Sequence, residues 1–384
     1  MNAFHGKLII GLTGNIATGK SVVRRMLEHL GAYGIDADRL SHRAIAKGAP
    51  GYQTVIDNFG TFILDKEREI DRSKLGSLVF SDPEALKQLE SIVHPLVRKG
   101  IDHLVERSKH KVVVIEAIKL LESPLFQLVD SVWVTTASEE MQLERLVRKR
   151  GMDKEVAVAR IRSQGPQERK VKAADFVINN KGSYDETWQQ VRAAWKSLLP
   201  EGTGPVPLRP SSPSPTTEID DQQLTVVRAR PDKAAQIAAF VTRISRGKQR
   251  LDREAVMAAF GEKAFLLLMA REKMVGLVGW QVENLVARVD DVFLEPGLSI
   301  AKASLFLITE VEEASKELQA EAALIFVSPE LAKEIEVWTG LGYEVRTADS
   351  LTINAWKEAA HSVQANGRVM LFKQLRVDRV LRPM

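Results

Sequence analysis

The sequence predicts two domains of different class, an α/β domain with a parallel sheet followed by an α+β domain. Three observations carry this: short apolar runs alternate with amphipathic helical stretches over the first 200 residues, a Pro/Ser-rich segment interrupts both patterns, and a hairpin-containing set of elements follows it. A chain of 384 residues is also long for one compact domain and comfortable for two.

Taken in order, Lys7 to Leu12 is an apolar run ending in a Gly-rich turn, and Ser21 to Leu30 has apolar residues at helical spacing. Gly34-Ile35 before Asp36, Val112 to Ile115 and Val132 to Val134 read as further strands, and Pro83 to Val93 and Glu139 to Arg150 as helices. Proline disfavours helical geometry in the residue before it, so the first of these helices is expected to stop at His94-Pro95. From Pro200 to Thr217 prolines recur every few residues with no hydrophobic period, the composition of a semi-extended linker. The expected division is a domain at 1–200, a linker at 201–221 and a second domain at 222–384.

In that second domain, Leu224 to Ala229 reads as a strand and Asp232 to Ile244 as a helix. Ala264 to Met269 and Met274 to Trp280 form a hairpin turning at Arg271-Glu272-Lys273, and Val286 to Leu294 is another strand. A helix from Ile300 to Leu318, a strand at Leu324 to Val327, a helix ending near Gly340, then Gly342 to Val345 and a last strand Val369 to Leu375 complete it.

Composition narrows the classes. With 45% hydrophobic and 27% charged residues the chain is neither collagen-like nor disordered. The absence of cysteine excludes disulfides, thiolate metal sites and thiol nucleophiles, and makes the cytoplasm the expected location. No apolar run approaches the ~18 residues of a membrane span, and Leu8-Ile9-Ile10 is too short for a signal core, so neither membrane nor export is expected. A net charge of +4 does not call for a nucleic-acid partner. Basic groups do gather at Arg145 to Arg150, Arg160 to Arg162 and Arg169 to Lys172, as a polyphosphate clamp or a solvated helix face. Oligomeric state is not legible.

The strongest motif is Gly14-Asn15-Ile16-Ala17-Thr18-Gly19-Lys20-Ser21, which satisfies G-x-x-x-x-G-K-[ST] between a strand and a helix. Its backbone N–H groups and the helix N-terminus suit a β-phosphate, the Lys20 ammonium reaches β/γ oxygens, and Ser21 can ligate Mg²⁺. ATP with Mg²⁺ is the expected donor. The guanine-reading N-K-x-D is missing, because Asn180-Lys181 is followed by Gly182-Ser183 and reads as a turn. Glu116, at the end of Val112 to Ile115, is a candidate for the metal's shell or simply a strand-end charge.

Three stretches, one of them containing this loop, resemble the dephospho-coenzyme A kinase family over about residues 7–197. Gly11 to Ser21 is similar to its GLTGGIGSGKS, with Asn15 and Ala17 in place of two glycines. Ile35-Asp36-Ala37-Asp38 is similar to its I-D-A-D, and Leu89 to Val97 to its L-E-x-I-x-H-P-x-[IV]. Gln142, Arg145, Arg150, Gln164, Lys170, Ala174-Asp175, Ile178, Asn180 and Gly182 also fall at matching places.

The resemblance implies transfer of phosphate from MgATP to the ribose 3′-hydroxyl of dephospho-coenzyme A. It makes Asp38 the candidate base, Asp36 a support for the loop or a metal-bound water, His94 a lining residue of the acceptor site, and Arg150 a phosphate contact in a mobile lid. A loose transition state lets an ordinary aspartate serve as the base. Where the family carries D-I-P-L-L-F-E, this chain has Glu116 to Glu122, and Lys119 there either touches the anionic acceptor or faces solvent. A kinase of another nucleoside or nucleotide acceptor is the alternative.

The second domain resembles the GNAT acetyltransferase fold in element order and in Leu341-Gly342-Tyr343. Its Leu294 to Lys302 segment keeps one usable glycine and lacks the [QR]-x-x-G-x-[GA] pattern, so a non-catalytic regulatory or interaction module is expected, with an active acyltransferase as the alternative. Tyr343 is expected in the core.

Overall fold

The computed structural model describes residues 4, 6–149, 151–198, 224–363 and 367–376. The expected linker 201–221 and Arg150 lie outside them. The described chain falls into two compact units, one of residues up to Arg24 with Ala32–Gly182, the other of Arg25–Gly31 with the residues from Ser183 on.

The first unit is built on strands β1 (Leu8–Thr13), β2 (Tyr33–Asp36), β3 (Val112–Glu116), β4 (Ser131–Thr136) and β5 (Phe176–Asn179). They form one five-stranded sheet in the order β2-β3-β1-β4-β5, and every neighbouring pair is parallel. Ile9, Ile10, Leu12 and Val113 to Ile115 are fully buried, the continuous apolar pattern of strands covered on both faces. Helices α1 (Lys20–His29), α2 (Ala37–Ala44), α3 (Tyr52–Phe59), α4 (Arg72–Ser81) and α5 (Pro83–Arg107) precede or follow the early strands. Helices α6 (Glu139–Glu144), α7 (Lys154–Arg162) and α8 (Glu168–Lys172) lie between β4 and β5; α9 (Tyr184–Leu198), next after β5 in the chain, belongs to the second unit.

Two expectations are corrected here. Helix α5 does not stop at His94-Pro95 but runs on to Arg107. Pro95 forfeits one backbone hydrogen bond, yet Val93, Val97, Ile101 and Leu104 recur on a single buried face and hold both halves in one helix. The expected helix Glu139 to Arg150 instead divides into α6 and a π-helical turn at Arg145–Lys149.

The second unit holds β6 (Leu224–Arg228), β7 (Ala264–Ala270), β8 (Lys273–Glu283), β9 (Val286–Leu294), β10 (Ala322–Val327), β11 (Glu344–Val345) and β12 (Val369–Gln374). They order as β11-β12-β10-β9-β8-β7-β6, antiparallel throughout except for β9 with β10. Its helices are α10 (Ala234–Ile244), α11 (Arg253–Ala259), α12 (Ile300–Glu317), α13 (Pro329–Ala332), α14 (Ile335–Gly340) and α15 (Asn354–His361). Strand β7 shows why both sheet faces are covered. Leu266 and Leu268 pack with Leu307 and Ile308 of α12, while the alternate residues Phe265 and Leu267 pack with Ile237 of α10 and Phe260. Tyr343 is buried in the first of these cores, as expected.

Candidate active site

The parallel register brings the chemistry to the C-terminal edge of the first sheet, where open α/β sheets bind their ligands. Glu116 is the register partner of both Leu12, just before the loop, and Asp36 at the end of β2. The phosphate loop therefore begins beside two strand-end carboxylates.

Backbone demands explain the loop's glycines. Gly14 has φ +151°, and a Cβ there would lie 2.5 Å from the Thr135 carbonyl oxygen. Gly19 has φ +97°, and a Cβ would meet Asn180 Nδ2 at 1.8 Å. Ala17, standing where the family pattern has glycine, also adopts a left-handed φ of +57°, which costs an L-residue about 1 kcal/mol.

Lys20 opens α1 and is buried, its Nζ donating to the Gly14 and Asn15 carbonyl oxygens at 3.0 and 3.2 Å. Thr18 Oγ1 meets Thr135 Oγ1 at 2.7 Å. Asn180 Nδ2 donates to the Thr18 carbonyl at 3.0 Å, and Arg145 spans the Ala17 and Asn180 carbonyls at 3.0 and 2.8 Å. Asn180 had read as a turn residue. It is a buried clamp on the loop; the family resemblance marks its place, and β5 is the strand that delivers it. Arg145 is committed to carbonyls in this state, whereas Arg160, Arg162 and Arg169 are exposed, so the basic stretch is not one uniform face.

Ser21 Oγ donates to Glu116 Oε1 at 2.9 Å, and Arg24 Nε pairs with Glu116 Oε2 at 2.8 Å with both side chains buried. Asp36 caps α2 by accepting from the Arg39 N–H, the N-cap role of a strand-end aspartate. Asp38 Oδ2 accepts from the Ile118 N–H at 3.2 Å. The Ile118 carbonyl in turn accepts from Lys170 Nζ at 2.9 Å and Thr13 Oγ1 at 3.0 Å. Lys170 is buried and belongs to this site.

His94 lies half-buried on α5, one turn beyond Glu90. Lys119 faces outward and pairs with Glu90 at 3.1 Å, an exposed ion pair of the kind that contributes little to stability.

Burial pushes the Asp38 carboxyl up to about 6, with the neighbouring Asp36 adding to it and Lys20 and the Ile118 N–H opposing. Asp36 is raised by burial and then by Glu116, against Arg24. A base must be deprotonated, so acceptor kcat/KM is expected to fall as pH drops through about 6. A profile flat from pH 7.5 to 5 would remove Asp38 from that role.

A family model described as Dephospho-CoA kinase matches residues 8–186. A dephospho-CoA kinase of Carboxydothermus hydrogenoformans is 46% identical over 186 residues, spanning 48% of this chain and 90% of that one. This chain belongs to the dephospho-CoA kinase family. The dephospho-CoA kinase of Aquifex aeolicus is 44% identical over 190 residues, spanning 49% of this chain and 96% of the relative. The kinase is therefore the first half, and the rest of the chain lies beyond what these relatives cover. Among solved structures, a GNAT-family acetyltransferase of Staphylococcus aureus spans 40% of this chain and 100% of its own length, at 12% identity and a TM-score of 0.33.

Proposed function

We propose that residues 8–186 transfer the γ-phosphoryl group of ATP to the ribose 3′-hydroxyl of dephospho-coenzyme A. The observation that supports this best is Asp38, held by the Ile118 N–H at the strand edge that also carries the phosphate-binding lysine. Asp38 takes the hydroxyl proton, and Lys20 and the loop N–H groups from Gly14 to Ser21 hold the donor phosphates. Lys170 and His94 are assigned to the acceptor side and Arg150 to the transferring phosphate, while Lys119, exposed and paired with Glu90, takes the solvent-facing alternative.

Ser21 and Glu116 fit Mg²⁺. Their oxygens lie 2.9 Å apart, and hard oxygen donors suit this ion. Among the described residues no three His, Asp or Glu side chains form a ready-made cation cluster, so the nucleotide's own oxygens would complete the shell. The ion would neutralise phosphate charge there.

The decisive experiment measures ADP release with dephospho-coenzyme A, adenosine and AMP as acceptors. Release that depends on dephospho-coenzyme A and yields coenzyme A is expected. Faster turnover with another acceptor, or release independent of any acceptor, overturns the assignment.

For residues 222–384 we retain a non-catalytic role. The segment entering α12 presents the Glu295 carboxylate, bound by both Arg243 nitrogens, in place of donors for an anion. Among the described residues no helix is long and apolar enough to cross a membrane. The cysteine-free composition supports a cytoplasmic setting, and the net charge of +4 does not call for a nucleic-acid partner.

A further inference from the structure

The crest of the phosphate loop, residues 15–17, is joined to α7 and the turn after it by contacts that none of the residues assigned above explains. Asn15 is 4% exposed, and its Nδ2 donates to the Gly165 carbonyl at 3.0 Å. The Ile16 N–H donates to Gln164 Oε1 at 2.5 Å. The Ile16 side chain is buried among Leu146, Ala157 and Ile161, so α7 packs its apolar face on the loop itself. These partners are about 150 residues apart in sequence, with 150 and 148 positions separating the two bonded pairs. The contact is therefore tertiary and not a by-product of a local turn.

Asn15 also touches the catalytic lysine from its other end, because Lys20 Nζ donates to the Asn15 carbonyl. Phosphates that draw Lys20 onto themselves would take it off that carbonyl, while the Asn15 side chain still holds Gly165. One residue thus senses the donor and grips the segment that covers the loop.

We propose that Asn15 and Gln164 form a latch between the phosphate loop and α7, positioning that helix over bound ATP so that water is kept from the γ-phosphate. The proposal rests on the kinase reading. The Asn15 and Gln164 side chains bond protein groups and not the phosphates, so in the latch both are positioning residues. Covers of this kind exclude water and commit the substrate. Loosening one should raise wasteful hydrolysis relative to transfer and weaken donor binding.

Gln164→Ala is the main test, with Asn15→Ala as the second variant. Removing one hydrogen bond of ordinary strength should raise the KM for ATP about three- to ten-fold. The ratio of ATP hydrolysed without acceptor to coenzyme A formed should rise by a similar factor. Hydrogen exchange in α7 with ATP alone supplies a readout that needs no acceptor. It should slow on ATP addition in the unaltered protein, and slow less in either variant.

Equal α7 protection in all three proteins, or an unchanged hydrolysis ratio in folded variants, would overturn the latch. A lower melting temperature with both readouts unmoved would assign these contacts to stability alone and also overturn it. If the unaltered protein made no coenzyme A, the kinase reading would fail while the ATP-dependent exchange still judged the latch.

Discussion

Asp38→Asn is expected to lose turnover by ~10²-fold or more, the usual scale for a positioned base, and at the same time to melt at a higher temperature. Both effects have one cause. The carboxyl sits at about 6 in the fold against 3.8 outside it, so the folded protein binds this proton more tightly than the unfolded chain does. Its ionisation therefore costs no stability below pH 3.8, an increasing amount from there to about 6, and the full amount above. Two units correspond to at most about 3 kcal/mol; with part of the group open to water, about 1–2 kcal/mol is the expected gain at pH 7.5. Asparagine keeps an oxygen for the Ile118 N–H and carries no charge beside Asp36. Calorimetry and a coupled ADP assay on one preparation read both effects. A variant that melts lower, or turns over near normally, removes Asp38 as a buried base.

The difference between what was legible in the sequence and what was not follows the range of the contacts. The phosphate loop is a local object, since its spacing, flanking strand and following helix lie within about two dozen residues, and Lys20 and Ser21 stand where the pattern puts them. The Asp36-Asp38 pair is equally local, but it was legible through the resemblance of Ile35 to Asp38 to the family's I-D-A-D.

Glu116 was a candidate from its place at a strand end, but what it touches depends on the register of β3 against β1 and β2. Arg24 gave no sign, and Lys170 showed only as a matching place in the family resemblance and a member of a basic run. One sits in an Arg-Arg pair within an amphipathic helix and the other in a basic run, both patterns of solvated faces, and burial is a consequence of the tertiary fold. Arg145 was visible as a charge in the basic stretch, whereas its bonds to the Ala17 and Asn180 carbonyls depend on the tertiary fold. In α5, local chemistry at Pro95 pointed to an end, and the long apolar face outweighed it.

Glu116→Ala should be the most destabilising single change at the site. It removes the carboxylate that meets the buried Arg24 guanidinium at 2.8 Å and accepts from Ser21 at 2.9 Å. Breaking a buried pair from one side leaves the other charge without that counterion, at a cost of about 3–5 kcal/mol. Thermal unfolding should register this as a large fall in melting temperature. Glu116→Gln separates the structural from the chemical role, because it keeps the volume and one acceptor oxygen while discarding the charge. Its stability should lie between that of the unaltered protein and that of the alanine variant. The Mg²⁺ concentration for half-maximal activity should rise, because a hard cation loses a charged oxygen from its surroundings. The acid limb of the pH profile should also move to lower pH, since Glu116 is among the groups that raise both Asp36 and Asp38. An unchanged Mg²⁺ requirement in the glutamine variant, with the acid limb shifted, would leave Glu116 as the partner of Arg24 and a source of field for Asp38. It would then take no part in holding the metal.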